Sequence, residues 1–260
     1  MRYYVVADTH GYYTKTREAL ERVGYFAQQG PRKLVLCGDA MDRGEETLLM
    51  QAFLMEELQS DRLIFVRGNH EDLLASMLSD LAIGRPLQDE HISNGTFQTA
   101  LQLSDMSAEQ AMKYPDELVR RTRASDFYRV LMANTVDFYE TDHYVFVHGW
   151  IPCYATPPYD LEFTGALQCR PDWRLASPYE WKGARRANGM ECACILRYGV
   201  PDKTTVCGHW HTSYGHAHIE HRGTEVGPDA DFSPFRAEGI LALDARTALS
   251  GIVNCVVLED

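Results

Sequence analysis

Three short apolar runs, Arg2–Ala7, Lys33–Cys37 and Arg62–Val66, have the length of strands, and each stops at a polar segment. Between them the period changes. Ala19, Leu20, Val23, Phe26 and Ala27 predict the buried face of one helix, and Leu48, Leu49, Ala52, Phe53 and Leu58 that of a second. Asp8 and Asp39 are 31 residues apart, and Asp39 and Asn69 are 30 apart. A βαβ unit is about 30 residues long. Each polar segment therefore falls just past the carboxyl end of a strand, one βα repeat after the last. In an open parallel sheet those ends share one edge, where ligands bind.

The second half is less regular. Glu71–Ile83 continues the third segment as a helix, and residues 84–135 are predicted to be largely helical, including Asp116–Met132, forming a cap beside that edge. Tyr144–Val147 reads as a strand delivering His148, and Thr204–Cys207 as one delivering His209. Residues 151–176, rich in Pro, Tyr and Trp, read as an irregular surface segment. Helices are expected around Tyr179–Asn188 and Glu191–Tyr198, and closing strands at Gly239–Leu243 and Ile252–Leu258. The economical geometry is a site between two packed sheets flanked by helices.

At 260 residues, with no linker, repeat or low-complexity run, the chain reads as a single domain over residues 1–260. The net charge of -12 argues against a nucleic-acid backbone or an anionic membrane surface as partner. No apolar run approaches the roughly 20 residues of a membrane span. The first strand follows Met1 almost at once, so no cleaved leader is expected. Seven cysteines lack zinc-site pairing, with Cys192-Ala193-Cys194 the nearest approach, and Cys37, Cys207 and Cys255 lie in apolar strands. A reducing, cytoplasmic location is the expectation. Oligomeric state is left open.

The chemistry sits in five segments: Asp8–Gly11, Gly38–Gly44, Gly68–Glu71, His148–Trp150 and Gly208–His211. Each alone is weak; a single D-x-H arises often by chance. Together they offer hard oxygens and imidazoles, a donor set suited to a pair of divalent ions of the Mn, Fe or Zn kind. Asp8, His10 and Asp39 are assigned to one metal, and Asp39, Asn69, His148 and His209 to the other, with Asp39 bridging. A bridging carboxylate holds two cations about 3.5–4 Å apart and helps make hydroxide available near neutrality. On an extended segment His211 shares a face with His209, which makes it a further candidate ligand, with Trp210 turned into packing. His70 is assigned as general acid, oriented by Asp42. Arg43 is a fork donor for phosphate, and Arg185 or Arg186 a second. His216, His218 and His221 read as a solvated strand or loop, and His91 and His143 as surface residues.

At these residues the chain resembles the calcineurin-like metallophosphoesterase superfamily, and within it the phosphoprotein phosphatase branch. That branch includes bacterial Ser/Thr phosphatases and symmetrical bis(5'-nucleosyl)-tetraphosphatases. Gly38–Gly44 meets its G-D-x-x-D-R-G pattern and Gly68–Glu71 its G-N-H-E pattern. Val145–Pro152 is similar to its V-H-A-G-x-x-P segment, and Asn94-Gly95-Thr96 with Thr99 and Leu101 to a bacterial N-G-G…T-L stretch. Gly239–Leu258 is similar to its closing segment. The resemblance implies a four-layer α/β/β/α sandwich with a helical insertion near residues 84–135. It also implies two divalent ions, Mn2+ first, then Fe or Zn, and the roles given above for His70, Asp42 and Arg43. Four departures stand out. Ala7 replaces the usual Gly, and Gly149-Trp150 replaces Ala-Gly or Gly-Gly, with Trp150 expected to narrow the substrate entrance. Gly208-His209-Trp210-His211 is similar to the G-H-x-H of more distant members, and Trp181…Arg185-Arg186 stands for W-x-R.

The first function this implies is a phosphomonoesterase acting on phosphorylated proteins. The alternative is a symmetrical diadenosine tetraphosphate hydrolase, for which Trp150, Tyr154 and Trp173 are the candidate aromatic pocket. A catalytically silent metal-binding module is disfavoured, because His70, Asp42 and Arg43 are not needed merely to hold metal.

Overall fold

The structure is a computed structural model that describes residues 1–155, 167–169 and 171–260. The strands are β1 (Arg2–Val6), β2 (Arg32–Cys37), β3 (Leu63–Val66), β4 (Tyr139–Glu140), β5 (Tyr144–Phe146), β6 (Cys153–Ala155), β7 (Leu167–Cys169), β8 (Thr204–Cys207), β9 (Phe235–Ala237), β10 (Ile240–Ala242) and β11 (Cys255–Glu259). One sheet has the order β11-β1-β2-β3, the other β4-β5-β8-β10-β9, and β6 pairs with β7 in a small hairpin. β1, β2 and β3 are mutually parallel, as the two 30-residue repeats predict. The closing strand β11 returns antiparallel to β1.

Side chains of each central strand alternate between two buried faces, so the strands read as continuous apolar runs. Tyr3, Val5, Val35 and Cys37 meet Phe146, Val206 and Leu241 between the two sheets. Tyr4, Val6, Leu34, Leu36 and Phe65 face the other way, under helices. Val145, Cys207, Ile240 and Ala242 back onto Trp150, Trp181 and Ala184 on the far side. Three apolar interfaces separate four layers, which is the α/β/β/α sandwich.

The helices over the first sheet are α1 (Tyr13–Arg22), α2 (Thr47–Gln59) and α3 (Asn69–Ala82). They are followed by α4 (Asp89–Ser93), α5 (Thr96–Ser104), α6 (Ala108–Lys113) and α7 (Pro115–Ala124) and by a π-helical turn at Phe127–Leu131. On the other side lie α8 (Pro178–Ala184) and α9 (Thr212–His218), and α10 (Thr247–Ser250) precedes β11. The insertion is not a detached cap. Ala100, Leu101, Leu118, Val119 and Phe127 belong to the same core as the outer face of the first sheet.

Two helix faces differ from the expectation. α1 ends at Arg22, so only Ala19 and Leu20 of its predicted face lie inside the helix, and Phe26 is partly exposed. In α2 the buried side chains are Met50, Phe53, Leu54 and Glu57, while Leu48 and Leu49 point outward. This helix is apolar nearly all round, so its pattern does not select a face. The choice follows Glu57, which is buried because the Arg62 guanidinium (2.7 and 3.1 Å) and the Tyr25 hydroxyl bond its carboxylate. No helix among the described residues is long and apolar enough to cross a membrane.

Candidate active site

The five segments meet at one edge. β1 leads to Asp8 and His10, β2 to Asp39, Asp42 and Arg43, β3 to Asn69 and His70 at the start of α3, β5 to His148, and β8 to His209. Asp8, His10, Asp39, Asp42, Arg43 and His209 all adopt left-handed backbone, with φ between 48° and 74°. Each such non-glycine residue costs roughly 1–2 kcal/mol, so the surroundings must hold them there. Loop-to-loop hydrogen bonds do this: Asp8 N to Gly38 O (3.2 Å), His10 N to Asp39 O (2.9 Å) and Gly11 N to Ala40 O (2.7 Å). The buried Glu71 carboxylate accepts from Gly68 N (2.8 Å), Asp39 N (3.0 Å) and Ala40 N (3.0 Å), tying the loops after β2 and β3 together. Gly68 is obligatory at this crossing, since a Cβ there would lie 2.2 Å from Asp39 Oδ1.

Backbone carbonyls fix the imidazoles. His10 Nδ1 lies 3.0 Å from Met41 O, and His148 Nδ1 2.8 Å from Cys37 O. A carbonyl only accepts, so each Nδ1 carries a proton and each Nε2 is the nitrogen turned to the interior. His148 Nε2 is 3.3 Å from Asp39 Oδ1 and 2.9 Å from Asn69 Oδ1. His10 Nε2 is 3.9 Å from Asp39 Oδ2. Two donor triples result, His10–Asp39–His70 and Asp39–His148–His209, each with its ligand atoms within 4.8 Å of one another. Asp39 is common to both. Asp8 and Asn69 line the same cleft of about 240 Å³, and the Asp8 carboxylate accepts from His209 N at 3.0 and 3.1 Å.

These groups compete for protons. Burial and the nearby Asp244 hold the Asp8 pKa well above the carboxylate range. Burial opposes charge at Asp39 as well, but His148 and His70 overcome it and hold the pKa well below. Burial also disfavours a charged His148, and Asp39 outweighs it, raising that pKa to about 10. Burial and the His148 charge lower His209 to about 3. A buried convergence of carboxylates and imidazole lone pairs around one shared aspartate fits a pair of divalent cations.

His70 stands apart in its partners. Its Nδ1 is 2.7 Å from Asp42 Oδ2, which also accepts from Thr96 Oγ1 at 2.7 Å. Asp42 N donates to Thr99 Oγ1 at 3.0 Å. The insertion thus braces the aspartate that orients His70. Burial works against a charged ring here, but Asp39 and Asp42 prevail and the pKa is raised. Arg43 Nη1 and Nη2 reach His10 Nε2 (2.7 Å) and His70 Nε2 (3.1 Å).

The two candidate arginines separate cleanly. Arg185 is buried and engaged with Asp72 Oδ2 at 2.8 Å and with Asp137, away from the cleft. Arg186 is exposed and lines the cleft beside Glu90 and Asn94. Arg185→Ala is expected to lower the melting temperature by the equivalent of about 2–3 kcal/mol. That is less than a fully buried pair, because Asp137 is partly exposed. Arg186→Ala should leave melting unchanged and lower kcat/KM about 10- to 100-fold, the loss of one charge-assisted bond to phosphate. Thermal melts and kinetics on the two variants check this pair.

His211 is not brought to the cluster. His209 is left-handed and Trp210 N bonds Gly208 O at 2.8 Å, so the segment turns and positions 209 and 211 do not share a face. His211 Nε2 instead lies 3.0 Å from Glu225 Oε1. Two members of the foreseen aromatic pocket are packed in the core instead. Trp150 is fully buried beneath the second sheet, and Trp173 packs against Phe138 (4.8 Å between centroids) and Trp181 (6.0 Å). The Tyr154 side chain lies outside the described residues, as do residues 156–166 and 170 of the segment read as irregular surface, whose described part includes β6 and β7. His91 is buried, its Nδ1 accepting from Gln88 N. His216 is buried on α9, with Nδ1 2.8 Å from Glu220 and Nε2 3.1 Å from Ser233 O. His143 is exposed, as expected. Thr96, Thr99, Glu71, Asp244, Glu90 and Asn94 are the residues whose place in the site sequence reasoning missed. All but Glu90 lie in the motif segments Gly68–Glu71, Asn94–Thr96 with Thr99, and Gly239–Leu258, which gave them no role.

Residues 1–213 match the family model described as calcineurin-like phosphoesterase. Among curated proteins, the chain is 26% identical over 137 residues to a bis(5'-nucleosyl)-tetraphosphatase PrpE [asymmetrical] of Bacillus velezensis. The match covers 50% of this chain and 52% of that protein. The Bacillus subtilis protein of the same name is 25% identical over 137 residues, covering 50% and 53%. The chain thus spans about half the length of the curated relatives it matches, and both are named asymmetrical, whereas the sequence reading put a protein phosphatase first and a symmetrical enzyme as its alternative. Among solved structures, a cold-active protein-tyrosine phosphatase of a psychrophilic Shewanella aligns over all of this chain and 75% of its own (TM-score 0.49, 14% identity). A metallophosphoesterase from Sphaerobacter thermophilus aligns over all of this chain and 84% of its own (TM-score 0.46, 13% identity). With the family model spanning the segments that bring Asp8, Asp39, Asn69, His148 and His209 together, the chain belongs to the calcineurin-like phosphoesterases, metal-dependent hydrolases of phosphoester bonds.

Proposed function

We propose that this cleft hydrolyses nucleotides carrying several phosphates, a dinucleoside tetraphosphate being the reference substrate, ahead of phosphorylated proteins. The observation that carries this reading is a run of cations. Arg43 and Arg186 line the cleft, and Arg186 also lines an adjoining depression that contains Lys182. A protein phosphomonoester presents one phosphoryl group, which the cleft alone would accommodate. A polyphosphate offers further anionic groups for the outer cations. The names of the two Bacillus relatives support the same substrate class, with asymmetrical cleavage.

Two divalent ions, Mn2+ first and Fe or Zn after it, would be held by Asp8, His10, Asp39, Asn69, His148 and His209. They would supply charge stabilisation and water activation. His211 is left out of this set. The chain's own groups do the rest. Arg43 and Arg186 bind phosphate oxygens. A phosphate that takes over the Arg43 N–H groups frees the His70 Nε2 lone pair to take up a proton from water in the cleft and pass it to the leaving oxygen, while Asp42 holds Nδ1 and Thr96 and Thr99 hold Asp42. The 260 residues act as one catalytic domain, with the cytoplasm as the compartment.

The test is a side-by-side assay of metal-reconstituted protein on diadenosine tetraphosphate and on phosphoserine, phosphothreonine and phosphotyrosine peptides. A kcat/KM at least tenfold higher on the dinucleotide, with ATP and AMP as products, is expected. Two ADP would restore the symmetrical reading. Preference for a phosphopeptide would restore the phosphoprotein reading.

A further inference from the structure

α8 carries its apolar side inward, with Trp181 and Ala184 buried in the core of the second sheet. Its other side is unusual. Tyr179, Lys182 and Arg186 follow one another at spacings of three and four, so they form one stripe along the helix and its C-terminal turn. Tyr179 is 85% exposed, the most exposed large ring among the described residues. The stripe borders a depression of about 490 Å³ whose floor is Ile151 and Ala184, both buried. Arg186 is the wall it shares with the metal cleft. Pockets for ligands of drug size span about 300–1,000 Å³ and combine an apolar floor with a few placed polar groups.

We infer that this depression is the nucleoside subsite: Tyr179 stacks on the base, and Lys182 and Arg186 bind the phosphates between the base and the scissile bond. The assignment rests on the nucleotide reading above. It replaces the aromatic pocket that the buried Trp150 and Trp173 do not form. A tyrosine ring offers a face to any base, so the subsite selects for a nucleoside more than for a particular one. The cations make it selective for charged nucleotides over free nucleosides.

The experiment compares wild type, Tyr179→Ala, Tyr179→Phe and Lys182→Ala, all metal-loaded. p-Nitrophenyl phosphate and diadenosine tetraphosphate are the substrates. Loss of one base–aromatic stack is expected to raise KM for the dinucleotide about tenfold in Tyr179→Ala with kcat little changed. Phe should restore the wild-type value, and Lys182→Ala should raise the same KM. Aryl phosphate kinetics should be unaltered in all three. Binding of adenosine 5'-monophosphate, read by calorimetry, should weaken about tenfold in Tyr179→Ala. That readout needs no turnover, so it tests the subsite even if the dinucleotide proves a poor substrate. Equal losses on both substrates, an unchanged dinucleotide KM in Tyr179→Ala, or no nucleotide binding by the wild type would each overturn the assignment. Absence of aryl phosphate hydrolysis in the wild type would instead count against the phosphoester reading itself.

Discussion

An Asp39→Asn variant is expected to lose metal from both positions and to fall in kcat/KM by about 10³-fold or more. The metal pair supplies several kcal/mol of transition-state stabilisation, at 1.36 kcal/mol per decade. Asp39 is the one carboxylate common to the two donor triples. Its Oδ1 lies 3.3 Å from His148 Nε2 and accepts from His70 N at 3.0 Å, while its Oδ2 lies within 3.9 Å of His10 and His70. Asparagine keeps the size of the side chain, and its Oδ1 can still accept the His70 N–H. What it loses is the negative charge, and it gains an N–H pair where lone pairs must converge. The apo variant should therefore melt below apo wild type, because buried His148 loses the charge that offsets its burial, while metal analysis after reconstitution should show both positions depleted. Two full metal equivalents together with wild-type turnover would remove the bridging assignment.

The sequence was most informative where strand period and motif coincide. Asp8, Asp39 and Asn69 each close a strand of one parallel sheet at a fixed repeat, and parallel strands put their carboxyl ends on one edge, so convergence followed from counting residues. His148 and His209 come from neighbouring strands of the second sheet, β5 and β8, which pair in parallel. Their convergence with the first three depends on how the two sheets stack, which no local period encodes. The buried residues between the sheets, Val5, Val35, Phe146 and Val206, carry that information only once both sheets exist.

Where the sequence misled, a local rule lost to a tertiary one. His211 was placed beside His209 by strand geometry, but the left-handed φ of His209 breaks the alternation at that point. Arg185 and Arg186 are adjacent and chemically alike. One is buried between Asp72 and Asp137, and its neighbour, one residue further round the turn, faces the cleft. Trp150 stands two residues after His148, yet its side chain enters the core of the second sheet. His91 and His216 sit in polar stretches and are buried all the same, because each finds partners: Gln88 for His91, and Glu220 and Ser233 for His216. Burial of a polar residue depends on the geometry that brings its partners within hydrogen-bond distance, and composition does not record that geometry.

A His70→Asn variant should lower kcat on substrates with poor leaving groups, such as alkyl phosphates, by about 10²–10⁴, the range of general acid–base catalysis. His70 is buried, its Nδ1 is held at 2.7 Å by Asp42, and its Nε2 opens on the cleft. Asp39 and Asp42 raise its pKa against the effect of burial, which favours the protonated ring an acid catalyst needs. An activated aryl phosphate should suffer far less, because its leaving oxygen departs with little protonation. Metal content should remain at the wild-type level, although Nε2 lies 3.8 Å from Asp39 Oδ2 and His70 stands in one donor triple. The two substrates therefore separate three roles. A large loss on the alkyl ester alone, with metal retained, marks a proton donor. Equal losses on both with metal retained mark a residue that shapes the cleft. Loss of metal from one position marks His70 as a ligand, and that outcome would move the proton-donor role elsewhere in the cleft.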